Sequence, residues 1–218
     1  MPEDDYLSGT IRAYDRDPGR YERATAGMLP EAELDAFVGM LPDRAGRVLD
    51  VGCAFGRDTG LLAARGLRAQ GVDLSAAFVA RAAERHPELP FRVMDARRLD
   101  FPDGHFAGIW CQATLLHLKD HDVSAALAGF RRVLVPGGAL FAGFKEGEGE
   151  EEVVERFSSD ASRFYRYQSA AGVTALLEGA GFRVATVERS HEAERYGPGH
   201  RDLTWLHAFA HAPGGRGA

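Results

Sequence analysis

The chain has 218 residues, 45% of them hydrophobic and 27% charged, with 26 Lys and Arg against 32 Asp and Glu for a net charge of −6. This length suits one α/β domain with a full core, and no apolar run nears the roughly 18 residues of a membrane span. The acidic balance disfavours a nucleic-acid partner, which clustered positive charge would have to hold, although Arg81, Arg85, Arg97 and Arg98 could form a local basic patch.

The acidic opening Met1-Pro2-Glu3-Asp4-Asp5 is unlike a secretory or transit peptide, so the expected setting is the cytoplasm, away from membranes. Up to Gly46 the chain reads as a helical cover, in which Pro30 precedes Leu34, Phe37, Val38 and Leu41 at the spacing of one helix face. From Arg47 onward strands and helices alternate. A buried strand over 47–51 leads through a glycine-rich turn to a helix near 57–65, stopped by Gly66. A strand over 67–73 follows, then a helix capped by Ser75 and running to about Arg85. Strands are expected over 91–94 and 106–112, and then a helix capped by Asp122 with Val123, Ala126, Leu127, Phe130 and Leu134 on one face. Pro136-Gly137-Gly138 turns the chain into a strand over 139–144. Ser169 caps a helix with Val173, Leu176, Leu177 and Ala180 inward, and strands over 182–188 and 204–211 complete the set. The last two are joined by the turn-rich Tyr196-Gly197-Pro198-Gly199 with no helix between them, which is how an antiparallel strand joins a parallel sheet.

Regular alternation predicts right-handed crossovers. The expected fold class is α/β: a Rossmann-like, mostly parallel seven-stranded sheet with an antiparallel last strand and helices on both faces. One domain would span 1–218, with 1–46 as cover or lid and 47–212 as core.

The first strand ends in Asp50-Val51-Gly52-Cys53-Ala54-Phe55-Gly56-Arg57-Asp58. Small residues at Gly52, Ala54 and Gly56 allow a sharp turn and a close ligand approach to the backbone. Asp73 ends the next strand, about 20 residues on, the interval that sets an acid against ribose hydroxyls. A pyrophosphate at this turn would meet Asp50 and Asp58. The same carboxylates suit the ammonium and sulfonium of S-adenosylmethionine, which carries no phosphate. The charge pattern therefore favours the sulfonium cofactor over a dinucleotide.

Further stretches fall into place beside this turn: Met94-Asp95-Ala96, Ile109-Trp110-Cys111-Gln112-Ala113 with Leu115-Leu116-His117-Leu118, Arg131 through Pro136-Gly137-Gly138 to Leu140, and Leu176-Leu177-Glu178-Gly179-Ala180-Gly181-Phe182. With Val48–Gly56 and Asp73 they resemble the class I S-adenosylmethionine-dependent methyltransferase family, from about Tyr14 to His211. The resemblance implies cofactor contacts from Asp50, Gly52, Cys53, Ala54, Gly56, Asp58, Asp73, Leu74, Ser75, Asp95, Ala96, Cys111, Gln112 and Ala113, with Asp95 meeting the adenine amino group. Ala54 stands where many members have glycine. The resemblance also implies methylation of oxygen or nitrogen in a small-molecule acceptor, by a monomer or homodimer, and it does not name that acceptor. Rival readings are an RNA-modifying enzyme and a catalytically idle cofactor-binding protein.

Methyl transfer from a sulfonium is an in-line displacement, so a base is needed only when the acceptor loses a proton. His117, following the fourth strand at its ligand-binding end, is the candidate base; the alternative is a packed, hydrogen-bonded histidine. Lys145 ends the fifth strand, where a polar side chain can face the pocket, while the acidic run Glu148 to Glu152 reads as a solvated loop and helix start. Tyr165 and Tyr167, within Arg163–Gln168, are either a substrate wall or core, and Tyr14 and Tyr21 are either a lid or packing aromatics. Cys53 and Cys111 read as structural thiols. His200 and Asp202 have metal-ligand character without further partners, so no metal is expected.

Overall fold

The computed structural model describes residues 6–154 and 162–214. The N-terminal cover is three helices, α1 (Leu7–Arg16), α2 (Pro18–Thr25) and α3 (Glu31–Met40). The sheet begins with β1 (Arg47–Val51), followed by α4 (Arg57–Ala64), β2 (Arg68–Asp73), α5 (Ala76–Arg85) and β3 (Phe91–Val93). β4 (Phe106–Cys111), α6 (Asp120–Val133) and β5 (Leu134–Lys145) come next. A hairpin of β6 (Glu150–Val153) and β7 (Arg163–Arg166) leads to α7 (Ala170–Gly179), β8 (Arg183–His191), α8 (Glu192–Tyr196) and β9 (Thr204–His211).

The seven-stranded sheet has the order β3-β2-β1-β4-β5-β9-β8, with β9 antiparallel to both neighbours and the other pairs parallel. This is the Rossmann-like sheet expected. Chain order reverses between β1 and β4, and in open α/β sheets ligands bind at such a reversal, beyond the carboxyl ends of the strands. Those ends carry Val51, Asp73, Cys111 and Lys145.

Strand alternation sorts the core into two layers. Ile109, Cys111, Leu140 and Ala142 pack on one face with Phe130 and Leu127 of α6. Trp110 and Phe141 pack on the other with Leu34 and Phe37 of α3 and Leu62 of α4, the indole lying parallel to Phe141 at 3.8 Å. β4 is buried on both sides, as a central parallel strand must be.

Several expected boundaries are corrected. Helix α6 starts at Asp120 with Lys119 at its cap position, because the Asp122 carboxylate is taken by Tyr6 Oη (2.6 Å) and Arg97 (3.2 Å). β5 begins at Leu134, pairing with Phe106 before a bulge, so that Leu134 opens the strand rather than closing the helix. The link between the last two strands does contain a helix, α8. Its first residue, Glu192, is buried and accepts hydrogen bonds from Arg201 and Trp205, which anchors that turn. The acidic run ends in strand β6, not in a helix start, since Glu150–Val153 pairs with Arg163–Arg166. The opening residues Met1–Asp5 lie outside the described residues. No helix among the described residues is long and apolar enough to cross a membrane.

Candidate active site

The turn after β1 is built by steric necessity. Gly52 has φ +76°, and a Cβ there would lie 1.8 Å from Thr114 Oγ1, whose hydroxyl donates to Val51 O at 3.0 Å. Gly56 also has positive φ (+81°), and its missing side chain lets Phe91, Ala82 and His86 close on the start of α4. Ala54 adopts φ 46°, a left-handed conformation that glycine would accept at lower cost.

Two carboxyls border this turn. Asp73 accepts from Ala54 N and Ser75 N, each at 2.9 Å, so one oxygen is tied to the turn and the other to the start of α5. Each oxygen retains a lone pair for a further donor. Burial pushes the Asp73 carboxyl up to about 6, against the pull of its backbone N–H partners. Asp50 is buried at the end of β1 and accepts from Thr59 Oγ1 at 2.6 Å. Burial first, and then the neighbouring Asp58 charge, push it up to about 8. Asp58 departs from its expected part: Arg57 Nε (2.6 Å) and Trp110 Nε1 (3.0 Å) occupy its carboxylate, so its charge is matched from within the protein. Asp73 keeps open lone pairs at the turn, and Asp50 stands beside it as a neutral-leaning carboxyl that a bound cation would charge.

Over the strand ends lie two chambers. The first, about 720 Å³, is lined by Gly52, Ala54, Asp73, Leu74, Met94, Asp95, Ala96, Thr114 and Leu118, and is closed by Leu7, Thr10, Ile11 and Tyr14 of α1. The second, about 740 Å³, is lined by Tyr165 and Lys145, by Trp205 and His207 of β9, and by Tyr196, Arg195, Arg201 and Arg57. They share Tyr14, Tyr21, Gln112, Ala113 and His117. Both volumes include solvent open to the surface.

His117 stands at the junction. Its Nδ1 lies 2.7 Å from the carbonyl oxygen of Phe164, which can only accept, so Nδ1 carries the hydrogen. In the neutral ring Nε2 is then the acceptor, and Tyr14 Oη donates to it at 3.0 Å. Arg163 donates to the same phenol oxygen at 3.1 Å, with its guanidinium 4.5 Å from the centroid of the Tyr14 ring. It also donates to Tyr165 Oη at 3.3 Å, while the Lys145 ammonium sits 3.4 Å from the centroid of the Tyr165 ring.

The first chamber can be tested against S-adenosylmethionine by its donors and shape. A glycine cradle with no room for a Cβ, a carboxylate with open lone pairs at the end of β2, an apolar rim of Leu74, Met94, Ala96 and Leu118, and the buried acid Asp50 beside the turn match an adenosyl group carrying a cation. The residues present fit that group.

A family profile described as "Methyltransferase domain" matches residues 48–138, the stretch that builds this chamber. Over that stretch the chain carries a methyltransferase domain, and it is similar to S-adenosylmethionine-dependent methyltransferases. Among curated relatives, 27-O-demethylrifamycin SV methyltransferase of Amycolatopsis mediterranei is 34% identical over 140 residues, 60% of this chain and 48% of that protein. Trans-aconitate 2-methyltransferase of Deinococcus radiodurans is 30% identical over 176 residues, 76% of this chain and 65% of that one. The chain spans between 28% and 65% of the length of such curated relatives. The crystal structure of Burkholderia thailandensis 1,6-didemethyltoxoflavin-N1-methyltransferase, with its namesake ligand and S-adenosylhomocysteine, superposes at TM-score 0.76 and 21% identity, covering 98% of this chain and 91% of that one.

Within this methyltransferase fold the expected site residues divide. Gly52, Ala54, Asp73, Leu74, Asp95, Ala96, Gln112 and Ala113 line the first chamber. Asp50, Cys53 and Asp58 line a smaller recess that shares Gly52, Ala54, Gln112 and Ala113 with the first chamber. Asp95 is held by Arg97, which donates to both carboxylate oxygens. Ser75 caps α5 through Phe78 N and donates to Asp15, and Cys111 is sealed in the core, so neither lines the chamber. Burial pushes both thiols up, which suits inert packing groups. Tyr14, Tyr21, Lys145 and Tyr165 line the second chamber, whereas Tyr167 turns away to Glu151. Asp202 meets His191 at 2.8 Å rather than His200. The sequence reading missed Arg57, Arg195 and Arg201 of the second chamber, together with Trp205 and His207. The two-residue period of β9 carried a signal for Trp205 and His207, because it sets both on one face of the strand.

Proposed function

We propose that this chain transfers a methyl group from S-adenosylmethionine to an oxygen or nitrogen of a small molecule, with the cofactor in the first chamber and the acceptor in the second. The observation that carries this reading is that the two chambers meet at Tyr14, Gln112, Ala113 and His117. When bound, the cofactor supplies a methyl group on a positively charged sulfur, an electrophile that needs no further activation.

The protein's own residues bind, orient and exclude water. Asp73 receives the ribose hydroxyls through its open lone pairs, Leu74, Met94 and Ala96 enclose the base, and Asp50 faces the cationic amino-acid end. Tyr14 hands its proton to His117 Nε2 as its oxygen takes one from the acceptor, and Arg163 steadies negative charge on that phenol oxygen. Phe164 O fixes the ring so that Nε2 is the face presented.

The test is calorimetric titration with S-adenosylhomocysteine, followed by a screen of hydroxyl- and amine-bearing small molecules for its formation from S-adenosylmethionine. Binding with acceptor-dependent turnover supports the proposal. Binding with no turnover for any acceptor would leave an idle cofactor-binding protein, and no binding would remove the cofactor assignment.

A further inference from the structure

The second chamber is lined by cationic side chains. Among its described lining residues, five carry cationic groups (Arg57, Lys145, Arg163, Arg195 and Arg201) and none carries a carboxylate. The acids that hold the arginines stand behind the wall. Asp58 takes Arg57, Glu33 takes Arg195, and Glu192 takes Arg201. All three acids are buried. Such backing fixes the Arg57 and Arg195 guanidinia in the chamber wall through part of their five-donor forks. Lys145 and Arg163 are themselves only 4% and 2% exposed, set against the rings of Tyr165 and Tyr14.

We infer that the acceptor is an anionic small molecule, bearing a carboxylate or phosphate that this arginine- and lysine-lined chamber binds. The inference rests on the proposed assignment of the chamber to the acceptor. An anion there gains charge-assisted hydrogen bonds in a partly dry site, where such bonds are stronger than in water. The aromatic faces of Tyr21, Tyr196 and Trp205 are left to grip the uncharged part of the molecule.

The experiment uses the full chain saturated with S-adenosylhomocysteine and titrated with tricarballylate, inorganic phosphate and the neutral trimethyl ester of tricarballylate. One or both anions should bind at least about tenfold more tightly than the ester and weaken as salt rises; which anion binds better separates a carboxylate from a phosphate acceptor. Lys145→Met and Arg195→Gln should each weaken the anion about tenfold while S-adenosylhomocysteine affinity stays unchanged. If Lys145→Met does not fold, Arg195→Gln carries the same comparison. Equal binding of ester and anion, indifference to both substitutions, or no anion binding by the cofactor-loaded chain would overturn the inference and leave the cofactor reading standing. Failure of S-adenosylhomocysteine itself to bind, read in the first titration, would sink both.

Discussion

Tyr14 and His117 meet at 3.0 Å where the two chambers join, and the Phe164 carbonyl at 2.7 Å on the far side of the imidazole decides which of them gives the proton. Three separate pieces of chain therefore build one line of hydrogen bonds: α1 supplies the phenol, the turn after β4 the imidazole, and β7 the carbonyl.

Tyr14→Phe keeps the ring packing against Tyr21 and Phe78 and removes only the hydroxyl. With an acceptor that loses a proton, turnover should fall by about 10²–10⁴ while S-adenosylhomocysteine affinity holds. His117→Ala should cause a similar loss, and the double variant should be no worse than either single one, because the two groups act as a unit. Steady-state kinetics and calorimetry check this; a fully active His117→Ala enzyme would remove the relay.

Cofactor binding should release a proton. Near pH 7 the Asp50 carboxyl, raised to about 8 by burial and by Asp58, is mostly protonated in the ligand-free protein. A cation placed against it favours the charged form and expels the proton, so release should approach one proton per site. The sign for stability follows from the same shift. The folded value lies above the unfolded one, so this group's contribution is full below about pH 4 and is lost as pH rises towards 8. Calorimetry in buffers of different ionisation enthalpy reads the proton, and Asp50→Asn should abolish its release.

Asp73→Ala should weaken S-adenosylhomocysteine binding by about 1.5–3 kcal/mol, the worth of hydrogen bonds to a charged group. The same change strands the N–H groups of Ala54 and Ser75, so some thermal stability should go with it. Titration of the folded variant measures the first effect; unaltered affinity would remove Asp73 from the cofactor site.

Gly52→Ala combines a forbidden backbone with a collision at Thr114 and should cost about 2 kcal/mol or more, a fall of about 4–8 °C in Tm for a chain this size. Gly66→Ala, at φ +81° in open space, should lose less stability and retain cofactor binding. A Gly52→Ala protein as stable as wild type would show that the turn has room to yield.

The parts legible in the sequence are those whose cause is local. The turn at Gly52 needs its small residues within a few positions, Asp73 follows at one strand-helix-strand interval, and the nearly unbroken apolar runs of β4 and β5 mark strands buried on both faces. The second chamber depends on contacts far apart in the chain. Arg163 reaches Tyr14 across 149 positions, and Arg195 reaches Glu33 across 162. Neither arginine differs in local pattern from a surface residue. β6 was hidden for a related reason: its side chains are mostly exposed acids, so only its pairing with β7 makes it a strand.

Helix α1 closes the first chamber with Leu7, Thr10 and Ile11 and on the same rigid rod carries Tyr14. Any swing of that rod wide enough to let spent cofactor leave also parts the phenol from the imidazole. On the proposed mechanism, the protein would disarm its proton wire each time it reloads and rearm it only when the door is shut.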